Sequence, residues 1–213
     1  MQYNISSLKN YGGFINSKFS ESDLAPIKNE INNIQNNFEL YETQKANKNL
    51  AGNIKREYQL MESKKYIEKL LAPLAHAYDK EFDYMKNFKM LTSTVPIVLD
   101  SCWVNFQKKY EFNPVHNHFG ILSFVIWINV PYDMEEERKL SPGAESNFNT
   151  AGSFSFLHND GAGGIKTCMI PVDKSMQNNI ILFPSNFHHM AYPFFSSDGY
   201  RISVSGNFKL NVG

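Results

Sequence analysis

The chain has 213 residues and a mass of 24.5 kDa, enough for one elaborated domain or two small ones. It is 42% hydrophobic, 14% aromatic and 20% charged, a globular composition that excludes a disordered chain. Lys plus Arg and Asp plus Glu both number 21, so no basic excess indicates a nucleic-acid surface.

Residues 1–10 are polar and hold no apolar signal-peptide core. Ser20 or Ser22 is placed to cap a helix whose apolar positions Leu24, Ile27, Ile31, Ile34 and Phe38 recur every three or four residues. The stretch 41–53 is rich in Asn and Lys and reads as a loop. A second helix is expected from Ser63, with Tyr66, Leu70, Leu74, Tyr78 and Phe82 on one stripe and a kink around Pro73. From residue 94 the pattern changes to short apolar or alternating runs: 97–106, 121–130, 153–157, 165–170, 179–183, 189–193 and 200–210. The longest apolar run, 121–131, is far below the ~20 residues that cross a bilayer. The segment 132–150, with its charge run at 135–139, is too long for a hairpin turn and reads as a disordered excursion or a lid. Two cysteines, Cys102 and Cys168, make no disulfide framework, which suits reduced thiols in the cytoplasm. The expected class is mainly β with N-terminal helices, a sandwich or barrel in which 1–93 supports a β-rich core over 94–213, together one integrated domain.

Six histidines occur, and four fall in two tight clusters. In Val115-His116-Asn117-His118, positions i and i+2 of a strand face the same way, so two imidazoles can converge on one cation. In Phe187-His188-His189-Met190, only one of the adjacent pair can face that interior. Two ligands from one strand and a third from a distant one leave the opposite face of a metal open. Alone, an H-x-H pair is weak, since packing also produces it. His76, on the second helix, has no partner and reads as structural. The chain has only three arginines, and Arg201 shares a strand face with Ser203. A guanidinium with a hydroxyl beside it is a natural anchor for a dicarboxylic acid.

Trp103-Val104-Asn105, His116-x-His118, Leu122-Ser123, Phe183-Pro184-Ser185, His189, Pro193, Arg201-Ile202-Ser203 and Asn207 occur in that order. The set resembles a family of 2-oxoglutarate/Fe(II)-dependent oxygenases, many encoded by marine bacteriophages and bacteria, over residues from about 100 to 210. The resemblance implies a double-stranded β-helix, a jelly-roll barrel with iron at its mouth and the helical half packed outside. It places the iron ligands on His116, His118 and His189, and the cosubstrate arginine on Arg201 with Ser203 as its neighbour. Asn105 falls where related demethylases bind the cosubstrate, although Gln107 stands where they have Tyr. The implied cofactors are Fe(II), 2-oxoglutarate and O2, with ascorbate as a reductant. The implied reaction hydroxylates a small-molecule or peptidyl substrate and releases succinate and CO2, in the host cytoplasm if phage-encoded.

Two departures bear on this. The commonest pattern has a carboxylate where His118 stands, which leaves Fe(II) one negative charge short. The literal H-x-D at His158 and Asp160 competes, but it lies too close before His189 for the intervening strands. Halogenation is disfavoured, because His118 fills the position that must be small to admit halide. A three-histidine dioxygenase of the cupin type, a non-catalytic jelly-roll module and an inactive oxygenase descendant are the other readings.

Overall fold

A computed structural model describes residues 2–8, 12–87 and 95–211. The boundary expected at residues 93 and 94 lies outside the described residues. Ser20 begins the first long helix, α1 (Glu21–Asn36), in a reciprocal box: its Oγ accepts from Asp23 N and its N–H donates to Asp23 Oδ2. The helix buries Leu24, Ile27, Ile31 and Ile34 but stops before Phe38. Phe38 instead opens a 3-10 turn (Phe38–Gln44) and stacks on Tyr58 at 5.6 Å. That packing draws much of the expected loop into two 3-10 turns, the second at Asn47–Asn49. The second helix, α2 (Lys64–Phe82), starts after Ser63 as expected. Its buried face is Ile67, Leu71, Leu74, Ala75 and Tyr78, so Tyr66 and Leu70 lie on the rim rather than on the central stripe. A short α3 (Tyr84–Asn87) follows.

The strands are β1 (Tyr3–Leu8), β2 (Gly12–Lys18), β3 (Glu57–Gln59), β4 (Ile97–Gln107), β5 (Asn113–His116), β6 (Leu122–Asn129), β7 (Ser153–Asn159), β8 (Ile165–Pro171), β9 (Asn179–Pro184), β10 (His188–Ala191) and β11 (Arg201–Leu210). They form a seven-stranded sheet in the order β1-β2-β9-β6-β11-β4-β3 and a four-stranded sheet in the order β5-β10-β7-β8. All the pairings are antiparallel. Seven of the strands answer the expected runs. β5 lies outside those runs, although the His116 pattern was read as strand, and β1, β2 and β3 were not expected; these three add the N-terminal half to the larger sheet.

The period of two divides the larger sheet between two cores. Leu122, Phe124, Ile126 and Ile128 of β6, with Val104, Phe106, Ile202 and Val204, meet the helices on one face. Val125, Trp127, Ile181 and Phe183 turn the other way and meet Phe154 and Phe156 of the smaller sheet. A strand covered on both faces needs a continuous apolar run, which is what β6 has. Among the described residues, no helix is long and apolar enough to cross a membrane.

The segment 132–150 is packed into this frame. It carries α4 (Met134–Leu140), whose Glu137 is fully buried. The Glu137 carboxylate accepts from Phe195 N at 2.8 Å, Ser196 N at 2.9 Å and Ser196 Oγ at 2.6 Å. Glu137→Ala strands all three donors and is expected to lower the unfolding free energy by about 3 kcal/mol in urea titration. A loss below about 1 kcal/mol would mean that these bonds do not hold α4 in place.

Candidate active site

The face of the larger sheet turned toward the smaller one becomes polar where it leaves the aromatic core. β4 contributes Trp103, Asn105 and Gln107, and β11 contributes Arg201, Ser203 and Ser205. Their register pairs Gln107 with Arg201, Asn105 with Ser203 and Trp103 with Ser205. The alternation W-V-N-F-Q and R-I-S-V-S thus sends every second residue inward, where these six line a cavity of about 60 Å3. His116, His118 and His189 line the same cavity.

His116 and His189 are direct partners in the β5–β10 pairing, which sets their rings 4.3 Å apart. β5 ends at His116, so His118 is not on the strand as expected. It is positioned instead by its own N–H, which donates to Ser185 O at 2.8 Å, and its ring stands edge-on to Trp103. One nitrogen from each imidazole lies within 4.8 Å of the others. His116 Nδ1 is 2.7 Å from Pro114 O and His189 Nδ1 is 2.8 Å from Phe187 O. A carbonyl only accepts, so both Nδ1 atoms carry the proton and both Nε2 atoms keep a free lone pair. Burial pushes His118 down to about 4, lowers His116, and lowers His189 well below the usual histidine range. Neutral imidazoles at neutral pH are the ligand form, and this donor set fits a divalent transition metal.

Arg201 is 3% exposed. Its Nε and Nη2 donate to Gln107 Oε1 at 3.1 and 2.7 Å, and Nη2 also to Tyr192 O at 2.7 Å. Its Nη1 donates to the Tyr132 hydroxyl at 2.7 Å and to Gly152 O at 3.1 Å. Gly152 sits at φ +68, and a Cβ there would come within 2.9 Å of the Tyr132 ring, so only glycine presents this carbonyl. Every acceptor is neutral, and no carboxylate forms an ion pair with Arg201 among the described residues. A buried guanidinium without a counter-ion is costly, and an entering carboxylate would supply one. The residues therefore fit a dicarboxylate in charge. In hydrogen bonding they require a neutral acceptor to give way, an exchange favoured because charge-assisted bonds are roughly twice as strong.

Asn105 is tied on both sides: Nδ2 reaches Ser203 Oγ at 3.1 Å and Ser205 Oγ at 3.2 Å, and Oδ1 accepts from Trp103 Nε1 at 3.1 Å. It orients the Ser203 hydroxyl rather than presenting an unused donor. His188 is exposed, and His158 lies toward the end of β7. Asp160 accepts from Ala162 N and Gly164 N in its own turn. Neither His158 nor Asp160 joins the imidazole cluster. His76 is exposed on α2. Sequence reasoning missed Tyr132, Gly152 and the Tyr192 carbonyl as partners of Arg201, and it missed Glu57, which also lines the cavity. Gln107, noted in the sequence only as a departure from the Tyr of related demethylases, was marked as inward by its position two residues after Asn105 on a period-two strand.

Two facing antiparallel sheets carry three convergent histidines that could hold a metal ion and a buried arginine beside them. Residues 101–207, half of the chain, match the family described as "Putative 2OG-Fe(II) oxygenase". The chain belongs to that family, enzymes that use Fe(II), 2-oxoglutarate and O2. No protein of curated function matches the sequence. Among solved structures, the fold is similar to a prolyl-4-hydroxylase from Pseudomonas putida, with 13% identity, a TM-score of 0.54 and 93% of each chain covered. It is also similar to a prolyl hydroxylase from Trichoplax adhaerens, with 12% identity and a TM-score of 0.56 over 94% of this chain and 84% of that one. AviO1 from Streptomyces viridochromogenes Tue57 gives 11% identity and a TM-score of 0.55 over 95% and 91%.

The depressed imidazoles have a consequence for stability. Between about pH 6.5 and about 4 the unfolded chain binds more protons than the folded one, so stability of the metal-free protein falls as pH falls. For His118 alone the slope approaches about 1.4 kcal/mol per pH unit. Urea unfolding from about pH 7 to about pH 4.5 should show His118→Gln flatter by that amount. Glu57, raised instead, acts in the opposite sense but is present in both proteins and cancels. Equal slopes would mean that His118 is not desolvated.

Proposed function

We propose that the protein is a 2-oxoglutarate-dependent Fe(II) hydroxylase whose iron is held by His116, His118 and His189. The observation that carries this reading is the single cavity shared by three neutral imidazoles and a buried arginine that no carboxylate pairs with among the described residues. Arg201, with the Ser203 hydroxyl beside it, takes the far carboxylate of the cosubstrate. Asn105 acts behind them as a positioning residue. Bound there, iron and 2-oxoglutarate would supply an oxidant from O2, with succinate and CO2 as the cosubstrate's products. His116, His118 and His189 would hold the metal as three neutral ligands and so contribute no negative charge to it. Pro114 O and Phe187 O hold the rings of His116 and His189 by their Nδ1 protons, which fixes the Nε2 lone pairs before metal arrives. Trp127, Phe154 and Phe183 keep water from the far wall.

The substrate approaches through an adjoining open groove of about 570 Å3, which shares Leu50, Ala51, Trp103, His116 and His118 with the cavity. Phe119, 99% exposed beside His118, stands on its rim. A small molecule or an extended peptide both suit a groove of this kind, and ascorbate belongs to the same reading as the reductant that restores idle iron. The cupin-type alternative leaves Arg201 with no anion to receive.

Anaerobic titration of the metal-free protein with Fe(II) and then 2-oxoglutarate should develop the weak visible charge-transfer band of the chelate. His189→Ala is expected to abolish the band. Arg201→Ala should raise the 2-oxoglutarate concentration needed by about 10- to 100-fold, the equivalent of one charge-assisted contact. Tight iron binding without a band would favour the cosubstrate-free dioxygenase, and absence of both would overturn the proposal.

A further inference from the structure

The cavity contains one acid that this mechanism does not use. Glu57, on β3, pairs directly with Asn105 and so belongs to the same inward row as Asn105 and Ser203. It is 2% exposed and lines the cavity with the three histidines. Its Oε2 accepts from Asn47 Nδ2 at 3.0 Å, whereas its Oε1 is buried with no hydrogen-bond partner. Asn113 Oδ1, three residues before His116, is a second buried oxygen without a partner, and Asn113 lines the same cavity. The donors are in the opposite condition. Among the described residues, Arg201 is the only Lys or Arg lining the cavity, and all its nitrogens are engaged. The two unpartnered oxygens, Glu57 Oε1 and Asn113 Oδ1, both accept, so the ligand group that satisfies them is one that brings N–H bonds.

Charge points the same way. When the cosubstrate neutralises Arg201, Glu57 becomes the uncompensated ionisable group of the cavity. Burial, with nearby Glu111, holds its pKa up at about 7, as expected of a carboxyl lacking a cation. Glu111 does not relieve it, since its carboxylate accepts from Lys55 N and Lys108 N.

We propose that Glu57, together with Asn113, forms a specificity subsite that receives a basic nitrogen of the substrate, an ammonium or guanidinium group. The inference rests on the reading above for where oxidation occurs, but the subsite itself stands on the cavity alone. Trp103 and Trp127, the only two tryptophans in the chain, both line the cavity, so intrinsic fluorescence reports its occupancy without any turnover. The full-length protein, with and without Fe(II) and 2-oxoglutarate, is titrated with n-butylamine and methylguanidine and with their neutral counterparts n-butanol and methylurea. The wild type should bind each cation at least about tenfold more tightly than its neutral counterpart. Glu57→Gln should erase that preference while thermal unfolding shows the fold retained, and Glu57→Asp should restore part of it. Equal binding of cation and neutral probe by the wild type, or a preference that survives in Glu57→Gln, overturns the inference. The charge-transfer band is read on the same samples. A band without cation preference overturns the inference alone, whereas cation preference without a band overturns the iron and cosubstrate reading and supports the subsite.

Discussion

A guanidinium buried between two sheets with no carboxylate beside it is the constraint that the rest of the site answers. Arg201 is held by the Gln107 amide, the Tyr132 phenol and the carbonyls of Gly152 and Tyr192, all neutral. They satisfy its geometry without cancelling its charge. An acid paired with it would have been the simpler stabiliser; among the described residues none forms an ion pair with Arg201, which leaves the guanidinium prepared for an anion from outside. The supports come from separate parts of the chain, so the arginine also ties together β4, β11 and the segments around α4 and β7.

The histidines solve a related problem with the opposite sign. Imidazoles crowded within one cavity cannot all carry protons, and burial keeps them neutral. Two rings are fixed by backbone carbonyls, so their orientation does not depend on a metal. The larger sheet makes both arrangements available. Helices α1 and α2 cover one face with aliphatic side chains, which leaves the other face to carry the aromatic wall and the polar row. Period-two alternation keeps the two from mixing.

Much of this was legible from the chain. The seven runs after residue 94 became strands, because alternation and turn residues act over a few positions. The distance between Arg201 and Ser203 on one strand was enough to place both on one face. What escaped has physical reasons. β1 and β2 hold only scattered apolar residues among Gly, Ser and Asn, and β3 is three residues long, so none announces itself by hydrophobic pattern. The 132–150 segment looked like an excursion because its charged residues are local. Glu137 is buried by partners at Phe195 and Ser196, more than fifty residues away. The face of α2 was misjudged by one position because two adjacent stripes, one starting at Tyr66 and one at Ile67, are both apolar. Only the sheet beneath selects between them.

The sequence by itself determined the alternating strands, the ordered set of three histidines and the arginine on the last strand, since these depend on residue type and short-range periodicity. The tertiary structure decided which nitrogen of His116 and His189 is free, why His118 converges although it lies beyond its strand, and which neutral groups cradle Arg201. It also decided that Glu57 faces the same cavity as the histidines. Those outcomes depend on contacts between segments tens of residues apart, and a desolvated charge or an unsatisfied oxygen exists only once the sheets have closed around it.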